Sequence, residues 1–351
     1  MLLCLGIAST IYATNRRVVR LTKIAQDTTL SIIGVGDIMM GTNYPSANYL
    51  PPNDGKDLFA PVRDILKDAD VTFGNLEGTL LDKGGDVKHC KDPSKCYAFR
   101  SPERYAKYLV EAGFDMVSLA NNHSGDFGLS GREKTMSTLE TNNIKYAGLL
   151  VHPTTVFEKD GIKYGLAAFA PNSGTCDVRN IAAAKEIVLA LDKEADIIIV
   201  SFHGGGEGSG HQHVTKTTEK YLGENRGNVY KFAHAMIDAG ADVIFGHGPH
   251  VTRAVELYKD RFIAYSLGNF CTYARFNLSG VSGLAPIVKV NIKKDGTFIN
   301  GKITATIQKG EGGPEIDPDN KVIGVMQTLT AQDFPTGLLV IEDDGTIHKK
   351  Q

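Results

Sequence analysis

"DIIIVSFHGGGEG", residues 196–208, decides the fold. Ile197 to Val200 form an apolar run, and the chain then places Ser201, His203, three glycines and Glu207 at its end. A near-continuous apolar run of this length suits a strand covered on both faces, as in sheets flanked by helices. When such a run closes on histidine and carboxylate, polar chemistry sits at a strand's carboxyl end, the edge where α/β sheets bind ligands. The pattern recurs in "LSIIGVGD" (30–37), "DVTFGNLEG" (70–78), "DMVSLANNH" (115–123), "DVIFGHGPH" (242–250) and "IAYSLGNF" (263–270).

Between these runs the spacing predicts helices. "DLFAPVRDILKDA" (57–69) carries Leu58, Val62, Ile65 and Leu66 at helical intervals, with Asp57 placed to cap. "SPERYAKYLVEAG" (101–113) opens with Ser101 at the cap and Pro102 at the first helical position, and stops at Gly113. "GREKTMSTLETNN" (131–143) and "NVYKFAHAMIDAG" (228–240) read the same way. Asp160-Gly161 and Asp295-Gly296 mark hairpins, and a third Asp-Gly lies in "LLVIEDDGTIHKK" (338–350). βα units mixed with antiparallel hairpins predict an α/β sandwich of two mixed sheets over residues 28–309. "GEGGPEIDPDNK" (310–321) then separates a C-terminal appendage, 310–351.

A chain of 351 residues is long enough for a large core, and 42% hydrophobic with 22% charged residues is ordinary globular composition. The formal net charge is −2 and no long basic run occurs, which gives nucleic acid no footing as a partner. The first residues, "MLLCLGIASTIYA", are apolar but too short to span a bilayer. Residues 1–27 read as a signal peptide or N-terminal anchor lacking the usual positive start, with a buried N-terminal segment as the alternative. An exported, extracytoplasmic chain permits a disulfide between Cys90 and Cys96, which bracket a short polar loop. Two free thiols or a metal site with His89 are the other readings.

The strand ends together carry Asp37, Asn75 with Glu77, Asn122 with His123, His203 with Glu207, and His247 with His250. Counting His211 and His213, six of the ten histidines lie in or beside these loops. Aspartate, glutamate, asparagine and imidazole converging from separate strands are the donors expected for Mn, Zn or Fe. The motifs "GVGDIMMG", "FGNLEG", "DMVSLANNHSGDFG", "VSFHGGGE", "IFGHGPHV" and "YSLGNF" resemble, in order from about residue 30 to 290, the bacterial capsule synthesis proteins of the CapA type. That family is linked to poly-γ-glutamate capsules and belongs to the calcineurin-like metallophosphoesterase superfamily. The resemblance implies a four-layer α-β-β-α sandwich.

Carried over residue by residue, the resemblance implies that Asp37 is the first metal-binding aspartate and Asn122 the asparagine ligand. Glu77 or Asn75 falls where a bridging aspartate is expected, and strand alternation puts both on one face. His203, His247 and His250 match further ligands, and His123 matches the histidine that serves the reacting oxygen or leaving group. The chain departs from the pattern at Met39, where a histidine is expected, and at Asn75. A thioether suits a hard cation poorly, so the expectation is one tight divalent ion and a weaker second. Asn75, Glu207 and Arg100, in "FRSPERY", stand as candidates for substrate contact, Arg100 through an anionic group or otherwise in a surface salt bridge. The functional expectation is a metal-dependent hydrolase acting on an envelope polymer or its precursor. The alternative is a non-catalytic component of a capsule assembly or export complex, partnered with membrane capsule-synthesis proteins.

Overall fold

A computed structural model describes residues 29–90 and 96–350. The N-terminal segment read above as signal peptide or anchor, 1–27, lies outside the described residues. Among the described residues, no helix is long and apolar enough to cross a membrane.

Side-chain alternation along two strands builds the layers. In the Thr29–Met39 strand, Ile32 faces one core while Ile33 and Val35 face another. In the Ile197–His203 strand, Ile199 joins the first of these cores and Ile198 and Val200 face a third. Successive strand residues point to opposite faces, so three apolar cores imply four layers. The middle core lies between the sheets, where Phe73 stacks on Phe245 with ring centroids 5.7 Å apart. The outer cores lie under helices: Leu109 and Leu139 on one side, Val188, Phe232 and Met236 on the other. The expected four-layer α-β-β-α sandwich is the fold observed.

The first sheet is mixed. Thr29–Met39 runs parallel to Val71–Leu76, which continues parallel to Met116–Ser118 and Lys145–Ala147. Its other edge pairs antiparallel with Leu284–Lys293, followed by Phe298–Gln308. In the second sheet, Ile197–His203 and Val243–His247 run parallel at the centre, in a six-stranded order bounded by the Thr154–Lys159 hairpin and Val255–Tyr258. The hairpins expected at Asp160-Gly161, Asp295-Gly296 and Asp344-Gly345 are present. Residues after 310 extend the first sheet rather than standing apart. Leu339–Ile341 and Thr346–Lys349 add two strands, and the Lys321–Asp333 helix sends Val322, Ile323 and Met326 into the middle core.

Three local expectations are corrected. The helix expected over 57–69 shrinks to Arg63–Leu66, because Pro61 lacks a backbone donor and disfavours helical geometry before it. Ser101 does not cap the next helix. It lies in a short strand and its hydroxyl donates to the Gly41 carbonyl, and the helical segment starts as a 3-10 turn, Glu103–Tyr105, before Ala106–Ala112. The run 263–270 is two strands, not one. Arg261–Ala264 ends in the second sheet, and Asn269–Thr272 pairs with Thr29–Met39 in the first. The intervening backbone bonds to both, through Leu267 N to Gly246 O and Asp37 N to Gly268 O.

Candidate metal centre

The two sheets bring their strand ends to one place. Registry pairs Asp37 with Asn75 on one side and Asn269 on the other, and pairs His203 with His247 in the second sheet. Close backbone approach makes this possible. A Cβ on Gly36 would lie 2.0 Å from the Gly268 carbonyl oxygen, so only glycine admits the crossing segment there. Gly248 has φ of 114° and abuts the Gly204 nitrogen, holding the His247 loop against the His203 loop.

Asp37 is fully buried. Its Oδ1 accepts from Asn75 Nδ2 at 2.8 Å and lies 3.3 Å from His247 Nδ1, while Oδ2 lies 3.0 Å from His250 Nδ1. His250 has φ of 56°, a left-handed backbone that bulky residues seldom adopt, and Asn269 helps hold it there by donating to its carbonyl at 3.1 Å. Asn75 is held in turn by Asn121, whose amide donates to Asn75 Oδ1 at 3.1 Å and to the Leu76 carbonyl at 2.9 Å.

Glu77, His203 and His250 each contribute a ligand atom to a cluster whose atoms lie within 4.8 Å of one another. Both Glu77 oxygens, both His203 nitrogens, His247 Nε2 and Asn122 Oδ1 are buried without a hydrogen-bond partner. Buried polar atoms are almost always paired, so the orphans on Glu77, His203 and His247 need a shared explanation. A divalent cation would supply it: carboxylate and imidazole are donors that Zn, Mn or Fe accept. Glu77, His203 and His250 are the residues that would hold it, with Asp37 against His247 and His250.

The electrostatics agree with a cation pocket. Burial works against charge on Asp37, yet hydrogen bonds and charge from His247 and His250 win and hold its carboxyl well below the usual carboxylate range. Burial, aided by the charges of Asp37 and Glu207, drives Glu77 well above that range. His203 is held well below the ordinary imidazole value by burial and then by the Arg226 charge. Burial opposes protonation of His250, but Glu77, Asp37 and Glu207 outweigh it and push it up to about 10.

His123 stands at the rim with a different set of contacts. Its Nδ1 lies 2.7 Å from Asp126 Oδ2, which also accepts from the Phe99 amide at 2.7 Å. Asp126 fixes Nδ1 as the protonated nitrogen, leaving Nε2 directed inward, 3.9 Å from Glu77 Oε1. Burial lowers the His123 pKa, with Asp126 opposing and Lys88 reinforcing the shift.

Of the remaining sequence candidates, Glu207 lies at the pocket's edge, 2.7 Å from the buried Arg226. Arg100 is not among the groups brought together. Its guanidinium is engaged by Asn43 Oδ1 at 2.6 Å and the Gly84 carbonyl at 2.8 Å, and lies over the Phe127 ring. His213 turns away to Asp333, and His211 offers its carbonyl to Arg253. Cys90 and Cys96 form a disulfide. Sequence reading passed over Asn121, Asp126 and Asn269, although all three lie inside the quoted motifs. Lys88, 2.6 Å from Asp126 Oδ1, carries no motif signal at all.

Two mixed sheets packed face to face thus place buried carboxylates and imidazoles at their shared strand ends. The sequence profile described as "Bacterial capsule synthesis protein PGA_cap" matches residues 31–274, and the chain belongs to that family. It is 29% identical over 305 residues to the capsule biosynthesis protein CapA of Bacillus anthracis, covering 81% of this chain and 69% of that one. It is 29% identical over 295 residues to the PGA biosynthesis protein CapA of Bacillus subtilis (strain 168), covering 78% and 71% respectively. Among solved structures it is similar to a phosphatase from Mycoplasma pneumoniae, with TM-score 0.48 and 14% identity over 83% of this chain and 95% of that one.

Proposed function

We propose that the chain is a metal-dependent hydrolase of capsule or exopolymer biosynthesis, of the poly-γ-glutamate type, acting outside the cytoplasm on an envelope polymer or its precursor. The observation that carries this reading is the set of orphaned buried donors on Glu77, His203 and His247. A divalent ion held there supplies Lewis-acid polarisation and acidifies water. The chain's own residues do the rest. Asp126 orients His123 through Nδ1, so Nε2 faces the pocket as the group that serves the leaving oxygen or nitrogen. Asp37 is held by His247, His250 and Asn75 and keeps its charge, which steadies the imidazoles around it.

One observation favours a second reading, a non-catalytic member of a capsule assembly complex. Asn75 is spent as a clamp between Asp37 and Asn121, and Met39 is buried on the Asp37 face where a histidine ligand would complete a second ion site. Elemental analysis of protein reconstituted with Mn, Zn or Fe separates the two. The hydrolase reading expects one equivalent or more of bound metal, lost for the most part in His203→Ala, with metal-dependent cleavage of the polymer or a generic ester. No metal after reconstitution, or full metal in His203→Ala, sinks it.

A further inference from the structure

We propose that a cationic pocket beside His123, formed by Lys88, His89 and Arg275, is a subsite for a carboxylate carried by the substrate. The proposal rests on the hydrolase reading above and adds the chemistry by which the substrate is recognised.

The pocket has a volume of about 400 Å³ and is also lined by Tyr44 and the Cys90–Cys96 disulfide. It adjoins the metal centre through two contacts. Lys88 Nζ lies 3.3 Å from His123 Nδ1. Next to Arg275, the Phe276 ring packs on His250 at 5.8 Å and on Phe99 at 5.1 Å, and Phe99 packs on His123 at 4.3 Å. A group bound in the pocket is therefore one side chain away from the imidazole.

Arg275 is unlike the other arginines near the centre. Arg226 is neutralised by Glu207, and Arg253 by Glu219. Among the described residues no carboxylate pairs with Arg275, and its buried Nε has no hydrogen-bond partner. Its guanidinium lies instead against two aromatic rings, 4.9 Å from Tyr49 and 5.0 Å from Tyr97. Aromatic contact of this kind leaves the N–H edge as the place where a ligand can bind, and a planar edge of paired donors matches a carboxylate. Lys88 is already balanced by Asp126, so among the described residues Arg275 is the cation the pocket leaves without a carboxylate, which suits a monoanion better than a phosphate dianion. Ala274 and Arg275 are consecutive left-handed residues, with φ of 53° and 60°, a conformation costly for residues with side chains.

The test is calorimetric titration of the full, metal-reconstituted chain with a short γ-linked glutamate oligomer, and with the same oligomer after amidation of its side carboxylates. Wild type is expected to bind the acid oligomer more tightly than the amide, with inorganic phosphate a poor competitor at equal ionic strength. Arg275→Met should weaken acid binding by about tenfold, the scale of a lost charge-assisted bond. It should leave amide binding and metal content unchanged, while Arg275→Lys recovers part of the loss. Equal binding of acid and amide by wild type overturns the subsite, as does acid binding by Arg275→Met at wild-type strength. If Arg275→Met lacks a cooperative melt, Arg275→Lys and the acid–amide comparison decide. A carboxylate preference in protein that holds no metal keeps the subsite and overturns the hydrolase reading. Bound metal without that preference overturns the subsite alone.

Discussion

His123 and Asp126 show how a role is set by a neighbour. An imidazole tied through Nδ1 to a buried carboxylate presents Nε2 inward, and the nearest acidic group there, Glu77 Oε1, lies beyond hydrogen-bond reach at 3.9 Å. His123→Ala should therefore keep its metal and lower turnover by roughly 10² to 10⁴, the range for losing a positioned proton-transfer group. Asp126→Asn should lower turnover by about 10- to 100-fold, again with metal retained, because only the orientation of the ring is lost. Kinetics paired with elemental analysis check both. If His123→Ala loses metal as fully as His203→Ala, His123 is a ligand and the assignment fails. Restoring histidine at Met39 should strengthen binding of a second ion in a metal titration. Much of this site was legible in the sequence, because its histidines and carboxylates stand at the ends of apolar runs. Asp126 and Asn121 were not, because one motif held more polar residues than spacing can rank. Lys88 was invisible because only tertiary packing brings it to His123.

At the scale of elements, the segment after His203 is fixed by a buried ion pair. Arg253 is fully buried and binds Glu219 through both terminal nitrogens, at 2.9 and 2.7 Å, and Glu219 also accepts from the Gly206 amide. Glu219→Gln leaves a buried guanidinium without its countercharge and should cost about 3–5 kcal/mol in a denaturant titration. A loss under about 1 kcal/mol would show that the pair contributes little beyond its exposed equivalents. Gly36→Ala forces a Cβ onto the Gly268 carbonyl and should cost about 3 kcal/mol, with metal loss as Asp37 shifts. The elements themselves were read unevenly. Strands with strong apolar runs and Asp-Gly hairpins were plain. The 57–69 helix failed because apolar spacing says nothing about the missing donor at Pro61. The run 263–270 failed because periodicity along a chain cannot reveal that it changes sheets midway.

For the whole molecule, the centre draws on both halves of the sandwich: Asp37 and Glu77 from the first sheet, His203 and His247 from the second. An ion held by both should stabilise the folded chain by about 2.7 kcal/mol at a hundredfold excess over its dissociation constant, seen as a raised melting temperature. Chelator should reverse the gain, and His203→Ala should show none. Reducing the Cys90–Cys96 bridge, which closes a sequence separation of only 6, should cost about 2 kcal/mol at most. The pairing of Thr29–Met39 with Leu284–Lys293 has a consequence for how the chain comes together in time. The second sheet is built from Thr154 to Ala264 and is complete in sequence before the first sheet receives its far edge. Leaving a ribosome or a translocation pore from its N-terminus, the chain must carry the Asp37 strand with one side open while some 250 residues follow. The histidine half of the pocket can be organised early, whereas the carboxylate half waits for almost the last strands to arrive.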